Sequence, residues 1–402
     1  MAGVLITGRR PTATPSTRMP FFSRLCARWH HSSFSRGYML DRRQVLKLAG
    51  AAVGVASVPA IAVAAQQVGS PTGPSGSEAV PGAVPGSRRF DLTAPSEMLL
   101  REVRLNETRV LQSFGFDNAR RHVFFVQLVD GGRRLPGETR TYSGDERSAN
   151  GDLCVTRMDL SGNILGTMYL RGFGHGVQIG VESTDAGSFL WTETASVASQ
   201  DSTGNYTGWG SRLARFAFAN GSVLTPDSPA LTQHRLEDGV DRTTVTVDPT
   251  HQRLAVRCRV NGTFRYRLYD LAAFTSGGRT TLADVPQPAD LQPGHPDTFQ
   301  GFASFGSHLY LLAGTQYGKD GSVEGTGNTF ITCVDWNSGA VVEQELTKAG
   351  YSLPYREPEG MAIQIPDPAA PQAARLCSGF ASVTSDTDAR KRASIYYKET
   401  LV

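Results

Sequence analysis

Five polar residues, Gln112, His175, Arg242, Gln300 and Glu359, each open a short apolar segment, and they stand 63, 67, 58 and 59 residues apart. Polar groups at one position of a repeat converge when the repeats are arranged in a ring. Two amides, an imidazole, a guanidinium and a carboxyl brought to one spot make a site for a polar ligand. Further acids lie nearby. Glu357 stands beside Glu359 across Pro358 in "EPEG", and Glu182 and Glu193 flank "SFLW". Two carboxyls about 5–9 Å apart perform glycoside hydrolysis as acid and nucleophile, or as acid and base. Arg242 beside such a pair holds a carboxyl down instead of keeping it protonated, which disfavours that chemistry.

Binding without catalysis is therefore the expectation, with Gln112, His175, Glu182, Trp209, Arg212, Arg242, Gln300, Glu357 and Glu359 as its residues. The alternative is a glycan-cleaving hydrolase or lyase using His175, Glu182, Glu357 and Glu359. Trp191, Tyr206, Trp209, Tyr351 and Tyr355 lie in or beside the same loops, where exposed rings stack on sugars and buried ones pack the core. The eight histidines show neither HxH nor HExxH spacing, and no GxSxG or phosphate loop is present, so no metal and no cofactor is expected.

Elements that position these groups are legible as two recurring parts. The first is a polar residue opening an apolar strand that turns back, as in "QSFGFDNARRHVFFVQL" from 112 and "QGFASFGSHLYLLAG" from 300. The second reads as strand, tight turn, strand: "GDLCVTRMDLSGNILGTMYL" from 151, "SRLARFAFANGSVLTPDS" from 211, "FRYRLYDLAAFTSGGRTTLADV" from 264 and "NTFITCVDWNSGAVVEQEL" from 328. Five such units of four antiparallel strands predict an all-β, five-bladed β-propeller, favoured over an open array of sandwiches. The last unit runs out at "RASIYYKETLV" with its third strand. The segment "FDLTAPSEMLLREVRLNETRVL" has spare strand formers to supply a fourth, which shuts the ring with no free edge.

Ahead of the propeller domain, placed over 89–402, residues 1–64 read as a leader. Arg42 and Arg43 precede a weakly apolar Ala/Gly/Val stretch that ends in Ala62-Val63-Ala64. This resembles a twin-arginine export signal and implies the export machinery as a partner, secretion, and an extracellular or wall-associated site of action. Translation is expected to start at Met39. The apolar run is too short and too interrupted for a stable membrane span after cleavage. Residues 65–88, rich in Gly, Pro and Ser, read as a tether.

The leader holds nine Lys/Arg and one acid, leaving 31 basic against 36 acidic residues in 65–402 despite a whole-chain charge of +3. That body has no electrostatic footprint for nucleic acid. Cys154, Cys258, Cys333 and Cys377 are far apart with no CxxC, and read as buried strand residues rather than pairs.

At "GDLCVTRMDLSGNILGTMYLRGFGHGVQIGVES", "GWGSRLARFAF" and "REPEGMAI" the chain resembles the β-propeller domain shared by phage receptor-binding (baseplate) proteins and the teichoic acid biosynthesis protein C family. The resemblance spans roughly residues 100–402. It implies a five-bladed ring that recognises a cell-wall glycopolymer or extracellular polysaccharide, and it carries over His175, Glu182, Trp209, Arg212, Glu357 and Glu359 as site residues. The phage relatives hold the propeller on a trimeric stem, which is not read here, so trimerisation and host attachment are not carried over. A scaffold binding a protein partner on its face remains a third reading, because fold alone does not choose.

Overall fold

A computed structural model describes residues 83–201, 204–384 and 390–402. The leader, and the tether as far as residue 82, lie outside the described residues. Strand β1 (Glu97–Arg104) precedes the first blade, formed by β2 (Leu111–Asp117), β3 (His122–Leu128), the short helix α1 (Gly144–Asn150), β4 (Leu153–Asp159) and β5 (Ile164–Leu170). The second blade holds β6 (Gly180–Thr184), β7 (Gly187–Gln200), β8 (Tyr206–Ala217) and, after β9 (Val223–Leu224), β10 (Thr232–His234). The third is β11 (Val240–Asp248), β12 (Arg253–Val260), β13 (Thr263–Asp270), helix α2 (Leu271–Thr275) and β14 (Ala283–Pro286). The fourth is β15 (Phe299–Phe305), β16 (His308–Ala313), β17 (Phe330–Asp335) and β18 (Val341–Leu346). The fifth is β19 (Glu357–Gln364), β20 (Arg375–Ser382) and β21 (Arg392–Lys398).

These form a five-bladed propeller of antiparallel blades. Its fifth blade is completed by β1 pairing with β21, Glu97 opposite Tyr397 and Arg104 opposite Arg392. Two connections differ from the sequence reading. The turn after β8 makes no hairpin, because β9 leaves its own blade and pairs in parallel with β5, Tyr169 opposite Val223. The residues between β13 and β14 hold α2, capped by the Asp270 carboxylate on the Ala273 N–H at 2.8 Å, rather than a tight turn. The tether also ends earlier than composition implies. Val84 is buried, its N–H donates to Asn337 Oδ1 at 2.8 Å, and the Ser87 N–H donates to Ser307 Oγ at 3.0 Å.

Period-two alternation would leave one face of each sheet to solvent, yet β2, β16 and β20 read almost entirely buried, because blades cover both faces of their neighbours. Five apolar clusters fill the five seams. Phe124 and Met168 of the first blade meet Leu190 and Phe216 of the second, and Trp191 and Leu213 meet Val245 and Leu254. Tyr266 meets Phe302 and Trp336, Tyr310 meets Met361, and Ile395 meets Phe114 and Phe116. The four cysteines are free and buried. Among the described residues, no helix is long and apolar enough to cross a membrane.

Candidate functional site

The inner strands β2, β11, β15 and β19 each carry a register shift at their opening, between Leu111 and Ser113, Val240 and Arg242, Phe299 and Gly301, and Pro358 and Met361. A bulge re-aims a side chain that the pleat would otherwise send into the seam. The residues so released are Gln112, Gln300 and Glu359, which line one cavity of about 420 Å³ at the mouth of the channel with His175, Trp209 and Glu357. In β11 the skipped residue is Asp241, one place before the expected Arg242, and Arg259 takes its carboxylate at 2.8 Å. Arg242 still reaches the site's edge, its guanidinium 4.4 Å from the centroid of the Trp209 ring.

His175 packs against the same ring system, 4.9 Å from Trp209 between centroids and tilted by 31°. Both are held from beneath by Glu193, whose Oε1 accepts the Gly176 N–H at 2.7 Å and whose Oε2 accepts the Gly210 N–H at 2.6 Å. The glycines around His175 and Trp209 follow from that carboxylate. A Cβ on Gly174 would stand 2.2 Å from it, and one on Gly210 would stand 2.5 Å from the Glu193 Cβ. Glu193, noted in the sequence as an acid flanking "SFLW", is a positioning residue, a role that the spacing of polar strand openings does not reveal.

Burial, with Arg109 and Arg242 close by, lowers the His175 imidazole to about 4, so it is neutral at physiological pH, and its Nδ1 has no hydrogen-bond partner among the described residues. Burial pushes the Glu193 carboxyl up to about 8 against the backbone N–H groups that favour its charged form. Across the mouth, burial and the neighbouring Glu357 hold Glu359 well above the ordinary carboxylate range. Glu357 is also raised by burial, although it accepts the Tyr355 hydroxyl at 2.7 Å. Arg242 does lower the Glu193 carboxyl, as its charge requires, but burial outweighs it, and Glu357 and Glu359 lie beyond its influence. Gln300 Nε2 donates to the Gly314 carbonyl at 2.9 Å.

Two expected residues are not brought to the mouth. Glu182 sits on β6 beyond Gln178, toward the far end, where it accepts from Arg215 Nε at 2.8 Å and from Trp191 Nε1 at 2.9 Å. Arg212 faces outward on β8, its Nη1 donating to Gln233 Oε1 at 3.2 Å. Arg109 joins the mouth instead, as an isolated arginine three residues before Gln112 that no motif announces. Of the aromatics, Trp209 and Tyr355 line the mouth, Trp191 is buried, and Tyr206 is exposed on β8. Below the mouth, Gln178 crosses the axis from the second blade. Its Nε2 donates to the Met361 carbonyl at 2.7 Å and its Oε1 accepts the Phe302 N–H at 3.1 Å. The site is thus a closed bowl.

No group of three or more His, Cys, Asp or Glu among the described residues is arranged to hold a metal ion. The bowl offers hydrogen-bonding groups of both kinds, an aromatic face and acids held above the ordinary carboxylate range.

Comparison with known proteins places this geometry. Residues 110–396 match the family described as the phage five-bladed β-propeller receptor-binding platform domain. A Bacillus subtilis (strain 168) protein named for major teichoic acid biosynthesis, protein C, is 24% identical over 283 residues, covering 68% of this chain. The chain spans 57% of that relative's length. The tail fiber of Staphylococcus aureus phage P68 superposes with a TM-score of 0.51 at 15% identity, over 78% of this chain and 53% of that one.

Proposed function

We propose, for a chain that belongs to the phage five-bladed β-propeller receptor-binding platform family, that the channel mouth binds a cell-wall glycopolymer of the teichoic acid kind and does not cleave it. The observation that carries the reading is the convergence of Gln112, His175, Trp209, Gln300, Glu357 and Glu359 on one bowl. A ring face flanked by amides and acids is what a polyol or sugar requires: the Trp209 face takes C–H groups, while carboxyl and amide take hydroxyls. The name of the Bacillus subtilis relative points to the same polymer class. Export by the twin-arginine pathway, to act outside the cell or at the wall, completes the proposal.

The experiment is retention of the purified chain on isolated bacterial cell walls, before and after removal of teichoic acid, with released sugar assayed in the same tubes. Retention lost on stripping supports the reading; equal retention, or none, overturns it. One observation favours a second reading. The raised Glu359 carboxyl beside Glu357 is the state a general acid needs. Sugar release abolished by Glu359→Gln would establish a hydrolase or lyase.

A further inference from the structure

Beside the mouth lies a second cavity of about 650 Å³, between α1 and the β7–β8 hairpin, lined by Ser148, Ala149, Tyr206 and Thr207. The two cavities share Arg109 and Ser148 as lining residues, so the arginine stands at their junction. The described residues of the two walls pack closely against one another. Helix α1 has a capping box between Ser143 and Glu146, and its Arg147 is buried against Glu138 and Asp152, the latter at 2.8 Å. The hairpin is pressed onto it, since a Cβ on Gly208 would meet Ser196 Oγ at 2.3 Å and the Gly151 N at 2.7 Å.

Arg109 makes no ion pair among the described residues. The one hydrogen bond of its guanidinium there is from Nη1 to the Gly144 carbonyl at 3.2 Å. A guanidinium without a carboxylate, between two polar cavities, is placed for an anion that bridges them. Tyr206 is 52% exposed and offers a ring at the outer cavity. That cavity also carries Asp145, Glu146 and Asp201, so it accepts hydroxyls and does not itself favour an anion.

Resting on the glycopolymer reading, we propose that mouth and outer cavity form one two-subsite groove for an internal stretch of a linear polyol- or sugar-phosphate chain. One repeat lies on Trp209, the next lies on Tyr206, and the phosphodiester between them lies on Arg109. The ligand is then the polymer as a chain, not its terminal unit.

Calorimetric titration of the full chain with glycerol phosphate, its dimer and its octamer tests this, with glucose, maltose and a glucose octamer as uncharged probes. The dimer and the octamer are expected to bind about thirtyfold or more tighter than the single repeat, the scale of one charge-assisted hydrogen bond plus a second stacking contact. Arg109→Gln and Tyr206→Ala should each erase most of that gain, with unchanged thermal melting as the folding control. Equal affinity of the single repeat and the dimer overturns the groove while leaving the glycopolymer reading intact. An equal gain for the maltose series, or a gain that survives Arg109→Gln, overturns the anion's place on Arg109. Failure of every oligomer to bind removes the glycopolymer reading and the groove together.

Discussion

Gln178 and Met361 are joined across the axis of the ring, side-chain Nε2 to backbone carbonyl at 2.7 Å, although they belong to the second and fifth blades. The same amide accepts the Phe302 N–H of the fourth blade. One side chain therefore ties three blades, and removing it leaves a buried donor and a buried acceptor without partners. Gln178→Leu should cost about 2–4 kcal/mol in urea unfolding. A loss under about 1 kcal/mol would show that the blades hold their places without it.

Trp209 carries the apolar face of the bowl and packs against His175 and Arg242. Trp209→Ala should weaken wall retention about tenfold, the loss of one stacking contact. In the native protein its fluorescence should change on adding wall polymer. Retention unaffected by the substitution would move the binding surface elsewhere.

Glu193 titrates between about 4.5 in the unfolded chain and about 8 in the fold, because it is buried. The native state binds the extra proton over that window, so this group's contribution to stability is full below the lower value and is lost as pH rises through the upper one. Glu193→Gln cannot titrate, and its amide turns an N–H toward the Gly176 or Gly210 N–H. It should be less stable by ~1–3 kcal/mol at the acid end, with the gap narrowing toward the alkaline end. His175 contributes equally to both proteins and cancels. A gap that widens with pH in paired unfolding curves would reverse the sign and contradict the assignment.

Glu182 and Arg212 separate stability from binding. Glu182→Ala strips the Trp191 indole N–H and the Arg215 guanidinium of their acceptor and should cost about 1–3 kcal/mol in thermal or urea unfolding. Arg212→Ala should fall within about 0.5 kcal/mol of the native protein. Both should be retained on walls as the native chain is. A loss of retention specific to either variant would extend the site beyond the mouth.

Much of this was readable from the residues. Alternation broken by Gly and Asn turns repeats five times, and the shortfall of one strand at "RASIYYKETLV" matches the surplus that becomes β1. The polar openings Gln112, His175, Gln300 and Glu359 do meet, because a ring superposes equivalent positions. Glu182 and Arg212 stand in well-matched segments but face elsewhere, since a motif fixes a strand's identity and not which end or face a side chain occupies. The one-residue offset at Asp241 is fixed by a bulge, which depends on the partner strand. Pairing of β9 with β5 is a contact between blades that no local pattern encodes. Arg109 escaped notice, and Glu193 stood out only as an acid flanking "SFLW", for a related reason: their roles come from what surrounds them in space.

Inner strand β15 runs from the mouth at Gln300 to the opposite face at Phe305, and the described chain enters at that opposite face, where Val84 and Ser87 are bonded to Asn337 and Ser307. Entry and mouth thus lie at opposite poles of the ring. A pull on the chain at Ala83 meets the Asn337, Ser307 and Leu401 contacts before it reaches β1. The ring's latch is shielded from the load it would otherwise be the first to bear.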